Sequence, residues 1–195
     1  DKGLRWTVFD TANSGIPVNK VRAVSVDKRG IVWIGTFGGG CAKYDGMFWT
    51  VYTTRNSGLP DNFIVSMAID GKNNKWIGTK NGGVTCFNGR EWEVHNKTTG
   101  NIPDNRITLV QLERSGKIWA GTYDSGLAYY DPGKNGTGGK SWILCKFFDQ
   151  NIPYSVTSLA IDKNNNKWIG TAGGLVVFNE NGIHERTCQP CYPSK

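Results

Sequence analysis

Apolar residues along this chain fall in short runs of strand length, each closed by a turn rich in Gly, Asn or Asp. The second quarter shows the pattern most clearly. "FIVSMAID" (Phe63–Asp70) is a mostly apolar run, and "GKNN" then turns the chain. "KWIGTK" follows as a second strand, "NGG" as a turn and "VTCFN" as a third strand. After the tight "NGR" turn, "EWEVHN" alternates apolar and polar positions, the period of a half-exposed strand. The pattern predicts four short antiparallel strands in about forty residues.

That unit recurs. The Trp-x-Gly-Thr run stands at Trp33, Trp76, Trp119 and Trp168, spaced 43, 43 and 49 residues. A second tryptophan series lies at Trp6, Trp49, Trp92 and Trp142, so all eight tryptophans belong to the repeat. Pro17, Pro60, Pro103 and Pro153 keep step, as do the acids Asp27, Asp70, Glu113 and Asp162. The one expansion, "DPGKNGTGGK" at Asp131–Lys140, has loop composition and reads as an insertion within a unit. Four-stranded units at this period describe an all-β propeller; a parallel solenoid uses a much shorter repeat.

The predicted domain is a single propeller over 1–195, with units around 21–53, 63–96, 106–149 and 155–179 and a tail at 180–195. Residues 4–11 ("LRWTVFDT") match the fourth strand "MFWTVYTT" (Met47–Thr54), whereas the last unit supplies three clear strands. The N-terminal strand is therefore expected to complete the last blade and close a ring of four, hiding its edges. "GIHERTC" (Gly182–Cys188) is the alternative outer strand. So small a ring leaves two further arrangements open: part of a larger propeller, or pairing with a second copy.

Composition supports the ordered, turn-rich reading: 26 glycines and eight tryptophans in 195 residues fit neither a disordered nor a helical chain. The formal net charge of +7 favours acidic partners, and no apolar run approaches membrane-spanning length. The chain opens at Asp1 without an initiator Met, as expected of a processed or trimmed polypeptide.

With "VSVDKRGIVWIGTFGGG", "MAIDGKNNKWIGTKNGG" and "LAIDKNNNKWIGTAGG" in view, the chain resembles the two-component regulator propeller repeat family. "YDGMFWTVY" (Tyr44–Tyr52) and "SGLPDN" (Ser57–Asn62) fit the same pattern. The resemblance implies an extracytoplasmic (periplasmic, secreted or cell-surface) sensory module that recognises an oligosaccharide for a two-component system. Such sensors commonly carry many more repeats, then a membrane segment and a kinase. No kinase activity is carried over to this chain, and the repeat consensus is structural and transfers no ligand contact.

Comparison between the copies separates scaffold from site. Repeated Trp, Gly and Thr are expected to pack and bond between strands. Positions that vary lie on two sets of loops at the ring's entrance. One set joins the second and third strands; the other leads into each inner strand. These supply the candidate ligand-binding residues Phe37, Lys80, Tyr123, Arg106 and Tyr154, aromatic faces and cations suited to stacking on sugars and pairing with acidic substituents. On the opposite face, Lys28, Arg29, Lys72, Lys75, Arg114, Lys117, Lys163 and Lys167 sit in or beside hairpin turns and read as a solvated basic rim.

No cofactor, metal or catalytic residue is assigned. Asp162, Asn164 and Asn166 loosely resemble the start of a calcium loop, but Lys167 occupies the glycine position and no Glu follows at the twelfth. Asn-rich turn chemistry explains the run. Cys41, Cys86 and Cys145 occupy apolar strand positions, and Cys188 and Cys191 form a C-x-x-C in the tail, read as a disulfide or free thiols. The expected partner is an oligosaccharide or acidic glycan, with a protein partner or a second copy through a propeller face as further candidates. No nucleic-acid motif appears. The alternative function is a protein-interaction scaffold; an enzyme is not expected.

Overall fold

A computed structural model describes residues 5–100, 102–132, 142–145 and 155–181. The chain is all-β, with four antiparallel sheets in sequence order. Blade 1 holds β1 (Val21–Val26), β2 (Val32–Thr36), β3 (Cys41–Tyr44) and β4 (Trp49–Tyr52). Blade 2 holds β5 (Ile64–Ile69), β6 (Lys75–Thr79), β7 (Val84–Phe87) and β8 (Trp92–His95). Blade 3 holds β9 (Ile107–Leu112), β10 (Ile118–Thr122), β11 (Leu127–Tyr130) and β12 (Ile143–Cys145). Blade 4 holds β13 (Val156–Ile161), β14 (Lys167–Thr171) and β15 (Gly174–Phe178).

One acidic side chain organises each inner hairpin. Asp27 accepts the backbone N–H groups of Arg29 and Ile31, Asp70 those of Lys72 and Asn74, and Asp162 those of Asn164 and Asn166. These are Asx-type turns, in which a carboxylate replaces a backbone acceptor. The same acids take the indole N–H of the Trp six residues on: Trp33 to Asp27 at 3.4 Å, Trp76 to Asp70 at 3.0 Å, Trp119 to Glu113 at 2.5 Å and Trp168 to Asp162 at 3.0 Å. A buried indole thus keeps its hydrogen bond while its ring packs between sheets. The Asp162 carboxylate is held near 2 first by that indole and then by the Asn166 and Asn164 donors, which fits turn chemistry for the Asn run.

The Gly and Thr of the same motif have distinct tasks. A Cβ on Gly35 would lie 2.4 Å from Ile64 Cγ2, one on Gly78 2.7 Å from Ile107 Cγ2 and one on Gly121 2.8 Å from Val156 Cγ1. The first inner-strand residue of each following blade therefore rests on a bare glycine. Thr36, Thr79, Thr122 and Thr171 donate their hydroxyls to the carbonyls of Gly40, Gly83, Gly126 and Gly174, closing the next turn.

Blades pack trailing face to leading face. Trp33 and Cys41 of blade 1 meet Ile64, Met67 and Ile77 of blade 2; Trp76 and Val84 meet Ile107, Val110 and Ile118; Trp119 and Leu127 meet Val156 and Ile169. The junctions alternate in kind. At the first, Lys75 Nζ lies 3.2 Å from Asp27 Oδ2 and 5.0 Å from the Trp33 ring, and Asn73 Nδ2 reaches the same carboxylate. At the third, Lys167 Nζ lies 3.5 Å from Glu113 Oε2 and 5.0 Å from the Trp119 ring. At the second, Ile118 stands in the lysine's place, and the bonds of Asp70 stay within its own turn and its Trp.

Two expectations need correction. Lys75 and Lys167 are not part of a solvated rim: both are buried, because each neutralises the acid of the preceding blade. And residues 5–10 form no strand with blade 4, whose β15 pairs only with β14 among the described strands, so the four blades stand as an open series. The segment instead leans on blade 1, where Phe9 packs 5.6 Å from both Tyr44 and Trp49. "GIHERTC" and the C-x-x-C lie outside the described residues, as does most of the predicted insertion.

Candidate functional site

The loop between the second and third strands of each blade is stitched to the start of an inner strand. Phe37 N donates to Lys20 O, Lys80 N to Phe63 O and Tyr123 N to Arg106 O, each at 2.9 Å. Gly38 and Gly40 both donate to Asn62 O, and Gly83 donates to Asn105 O, tying each loop to the next blade. The inner-strand ladders slip register near their rim ends, as at Val21/Ala23 and Ile64/Ser66. Such bulges bend a strand at its end and re-aim its side chains. Varied side chains are thereby presented from a fixed backbone, as a binding rim requires.

At the junction of blades 1 and 2 this framework gathers an aromatic pair and three cations. Phe37 and Phe63 meet edge to face, with centroids 5.0 Å apart and planes at 78°, and share an isolated β-bridge. Lys20 Nζ lies 4.5 Å from the Phe37 centroid, Arg22 Cζ 5.3 Å and Lys80 Nζ 5.4 Å; Lys80 is also 5.7 Å from Phe63. All three cations and Phe63 are exposed, and Phe37 is half-buried. Among the described residues, no carboxylate forms an ion pair with Lys20, Arg22 or Lys80. The nearby acid, Asp61, accepts the N–H groups of Phe63 and Asn81 instead.

The blade 3 rim is different in charge. Arg106 lies over Tyr123, 4.9 Å from its centroid, but its guanidinium is paired with Asp104 at 3.4 Å and with Asp124. Two carboxylates against one guanidinium make this group an orienting, hydrogen-bonding surface rather than an anion site.

Four of the five predicted residues therefore fall into two groups. Phe37 and Lys80 are brought together, and Arg106 and Tyr123 are brought together one blade on. Tyr154 lies outside the described residues. Sequence reasoning passed over Lys20, Arg22 and Phe63 as assigned site residues. The signal was present, since Lys20 and Phe63 precede or open inner strands; Arg22 was concealed because it looks like an ordinary exposed strand position.

Residues 15–38 match the family model described as two component regulator propeller. Among solved structures, the chain is similar to the extracellular domain of a protein described as a hybrid two-component system, BT3049, from B. thetaiotaomicron. That likeness has a TM-score of 0.77 and 27% identity, covering 90% of this chain and 24% of that one. PorZ, a surface component of the type-IX secretion system of Porphyromonas gingivalis, shares the fold at TM-score 0.62 and 21% identity, over 91% of this chain and 28% of that one. Virginiamycin B lyase from Staphylococcus aureus shares it at TM-score 0.63 and 12% identity, over 85% of this chain and 57% of that one. No curated protein sequence matches. The chain thus spans about a quarter of the length of the sensor domain it is similar to. Residues 15–38 thus carry a two component regulator propeller repeat, and the chain as a whole is similar to that sensor domain.

Proposed function

We propose that this chain is an extracytoplasmic sensory module whose rim recognises an acidic oligosaccharide for a two-component system. The observation that carries the reading is the cluster at blades 1 and 2: three exposed cations, without a carboxylate partner among the described residues, around a phenyl pair. Sugar rings present apolar C–H faces that stack on aromatic rings, and carboxylate or sulfate substituents pair with Lys and Arg. The Arg106–Tyr123 group, half-satisfied by its own acids, serves as a second wall that bonds hydroxyls. The likeness to an extracellular sensor domain supports the location and the sensory role.

The rim chemistry is that of binding. The Phe37–Phe63 cluster offers fixed positive charge and aromatic faces. The described histidine, His95, is buried in aromatic packing against Trp76, Tyr130 and Trp142. The second reading, a protein-interaction scaffold, is favoured by one feature: Met47 and Phe48 project from the blade 1 outer hairpin, both strongly exposed.

A glycan array run beside a pull-down separates the two. The sensory reading expects acidic-glycan signal that is lost in a Phe37→Ala/Lys80→Gln variant and reduced in Arg106→Gln/Tyr123→Ala. A silent array with partner capture that depends on Met47 and Phe48 replaces it with the scaffold.

A further inference from the structure

All four blades build their rim on one backbone arrangement. The inner ladder slips register at its rim end in each. The residue after the second strand then donates its N–H to the carbonyl of the residue leading into the inner strand. These bonds run from Phe37 to Lys20, Lys80 to Phe63 and Tyr123 to Arg106 at 2.9 Å, and from Ala172 to Ser155 at 3.3 Å.

Three blades place one cation and one aromatic ring on these two positions. Lys20 Nζ lies 4.5 Å from the Phe37 centroid, Lys80 Nζ 5.7 Å from that of Phe63 and Arg106 Cζ 4.9 Å from that of Tyr123. The order is reversed in the middle blade: the cation leads into the inner strand in blades 1 and 3, the ring in blade 2. Blade 4 keeps the backbone bond with Ser155 and Ala172, neither charged nor aromatic.

The fold therefore does not call for the pair. Residues that hold a blade together recur at one fixed position, as the four indoles do on their acids. Here the composition of the pair recurs and its order does not. Five of the six side chains are exposed and Phe37 is half-buried, so their packing adds little to the core. A ring with a cation against it offers a stacking face and hydrogen-bond donors at one place, which suits a ligand unit with C–H faces and oxygen acceptors.

Two acids hold the second and third pairs in place. Asp61 accepts the N–H groups of Phe63 and Asn81, and Asp104 those of Arg106 and Asp124, so each ties the inner-strand lead to the facing loop. The first and second pairs touch through Phe37 and Phe63. Subsites fixed in this way lose little freedom on binding.

We propose that the three pairs are successive subsites for one linear oligosaccharide lying along the rim across blades 1 to 3. The proposal rests on the acidic-glycan reading given under the proposed function, and adds the form and least length of the ligand. Packed sheets stand about 10 Å apart, so the row covers about 20 Å from the first pair to the third. A disaccharide reaches only the joined pairs of blades 1 and 2. A longer oligomer gains the third pair as an intramolecular step, at the high effective concentration of a tethered unit. Asp104 and Asp124 neutralise Arg106, so acidic units sit on blades 1 and 2 and blade 3 takes hydroxyls.

The test is calorimetric titration of hexagalacturonate and digalacturonate into the parent and into Arg106→Gln/Tyr123→Ala. Both side chains stand at the surface, and unchanged β circular dichroism confirms the fold of the variant. The hexamer should bind the parent about tenfold or more tightly than the dimer. The variant should lose about that factor for the hexamer and nothing for the dimer. Equal affinity of the two sugars, a hexamer affinity untouched by the substitutions, or equal weakening of both sugars overturns the three-subsite row while leaving the acidic-glycan reading in place. If neither sugar binds the parent, that reading falls and the row falls with it.

Discussion

At the scale of single residues, the repeated acid matters most. Burial pushes the Asp27 carboxyl up, but the Arg29 N–H, the Lys75 ammonium, the Ile31 N–H and the Trp33 indole outweigh it and hold the pKa near 2, from an ordinary 3.8. A folded-state pKa below the unfolded one adds stability above the unfolded value and loses it as pH falls through the folded one. The contribution, about 2 kcal/mol, should therefore be complete above pH 4 and vanish toward pH 2. Urea unfolding across that range should show the loss in the parent and a flatter profile in Asp27→Asn. Lys75→Met should cost about 3 kcal/mol, since it leaves Asp27 buried without its cation. The double variant should recover part of that cost, and a double-mutant cycle in urea measures how much. Both acid and Trp series were visible in the sequence as separate periodicities; their mutual bond was not, because six residues and a turn separate them along the chain. Lys75 and Lys167 misled for the same reason, as their partners belong to another blade.

At the scale of the element, the junction between blades is set by one glycine. Gly35→Ala would place a methyl 2.4 Å from Ile64 Cγ2 with Ala23 Cβ at 3.2 Å behind it, so blade 2 must shift. Overpacking of this kind costs about 1–3 kcal/mol. The measurement is thermal unfolding, with Gly71→Ala as the control, since nothing lies within 4 Å of that site. A Gly35→Ala protein as stable as the control contradicts the junction described here. Strand number, turn positions and blade period were all legible in the sequence, because each follows from local alternation and turn chemistry. How far the N-terminal segment travels was not legible: "LRWTVFDT" matches an outer strand whichever blade receives it, and only the Phe9 contacts show which blade it leans on.

At the scale of the whole molecule, the loops of blades 1 to 3 carry the varying Phe37, Lys80 and Tyr123 while the repeated Trp33, Trp76 and Trp119 stay buried. Comparing repeats separated these classes, so Phe37, Lys80, Arg106 and Tyr123 could be singled out without a structure. Their grouping could not, since it depends on which loop is stitched to which strand. Net charge was also a poor guide to the site: Lys75 and Lys167 are consumed inside the fold and Lys117 pairs with Glu180 at 2.6 Å, whereas Lys20, Arg22 and Lys80 are exposed. The central claim is that this last trio, with Phe37 and Phe63, binds acidic sugar. Calorimetric titration of a hexameric oligogalacturonate against a neutral hexasaccharide tests it, using the parent and Lys20→Gln/Lys80→Gln. The account predicts binding of the acidic oligomer alone, weakened about tenfold or more by the double substitution and further by added salt. Equal binding of the neutral sugar, or an acidic-sugar affinity untouched by losing both lysines, would contradict it.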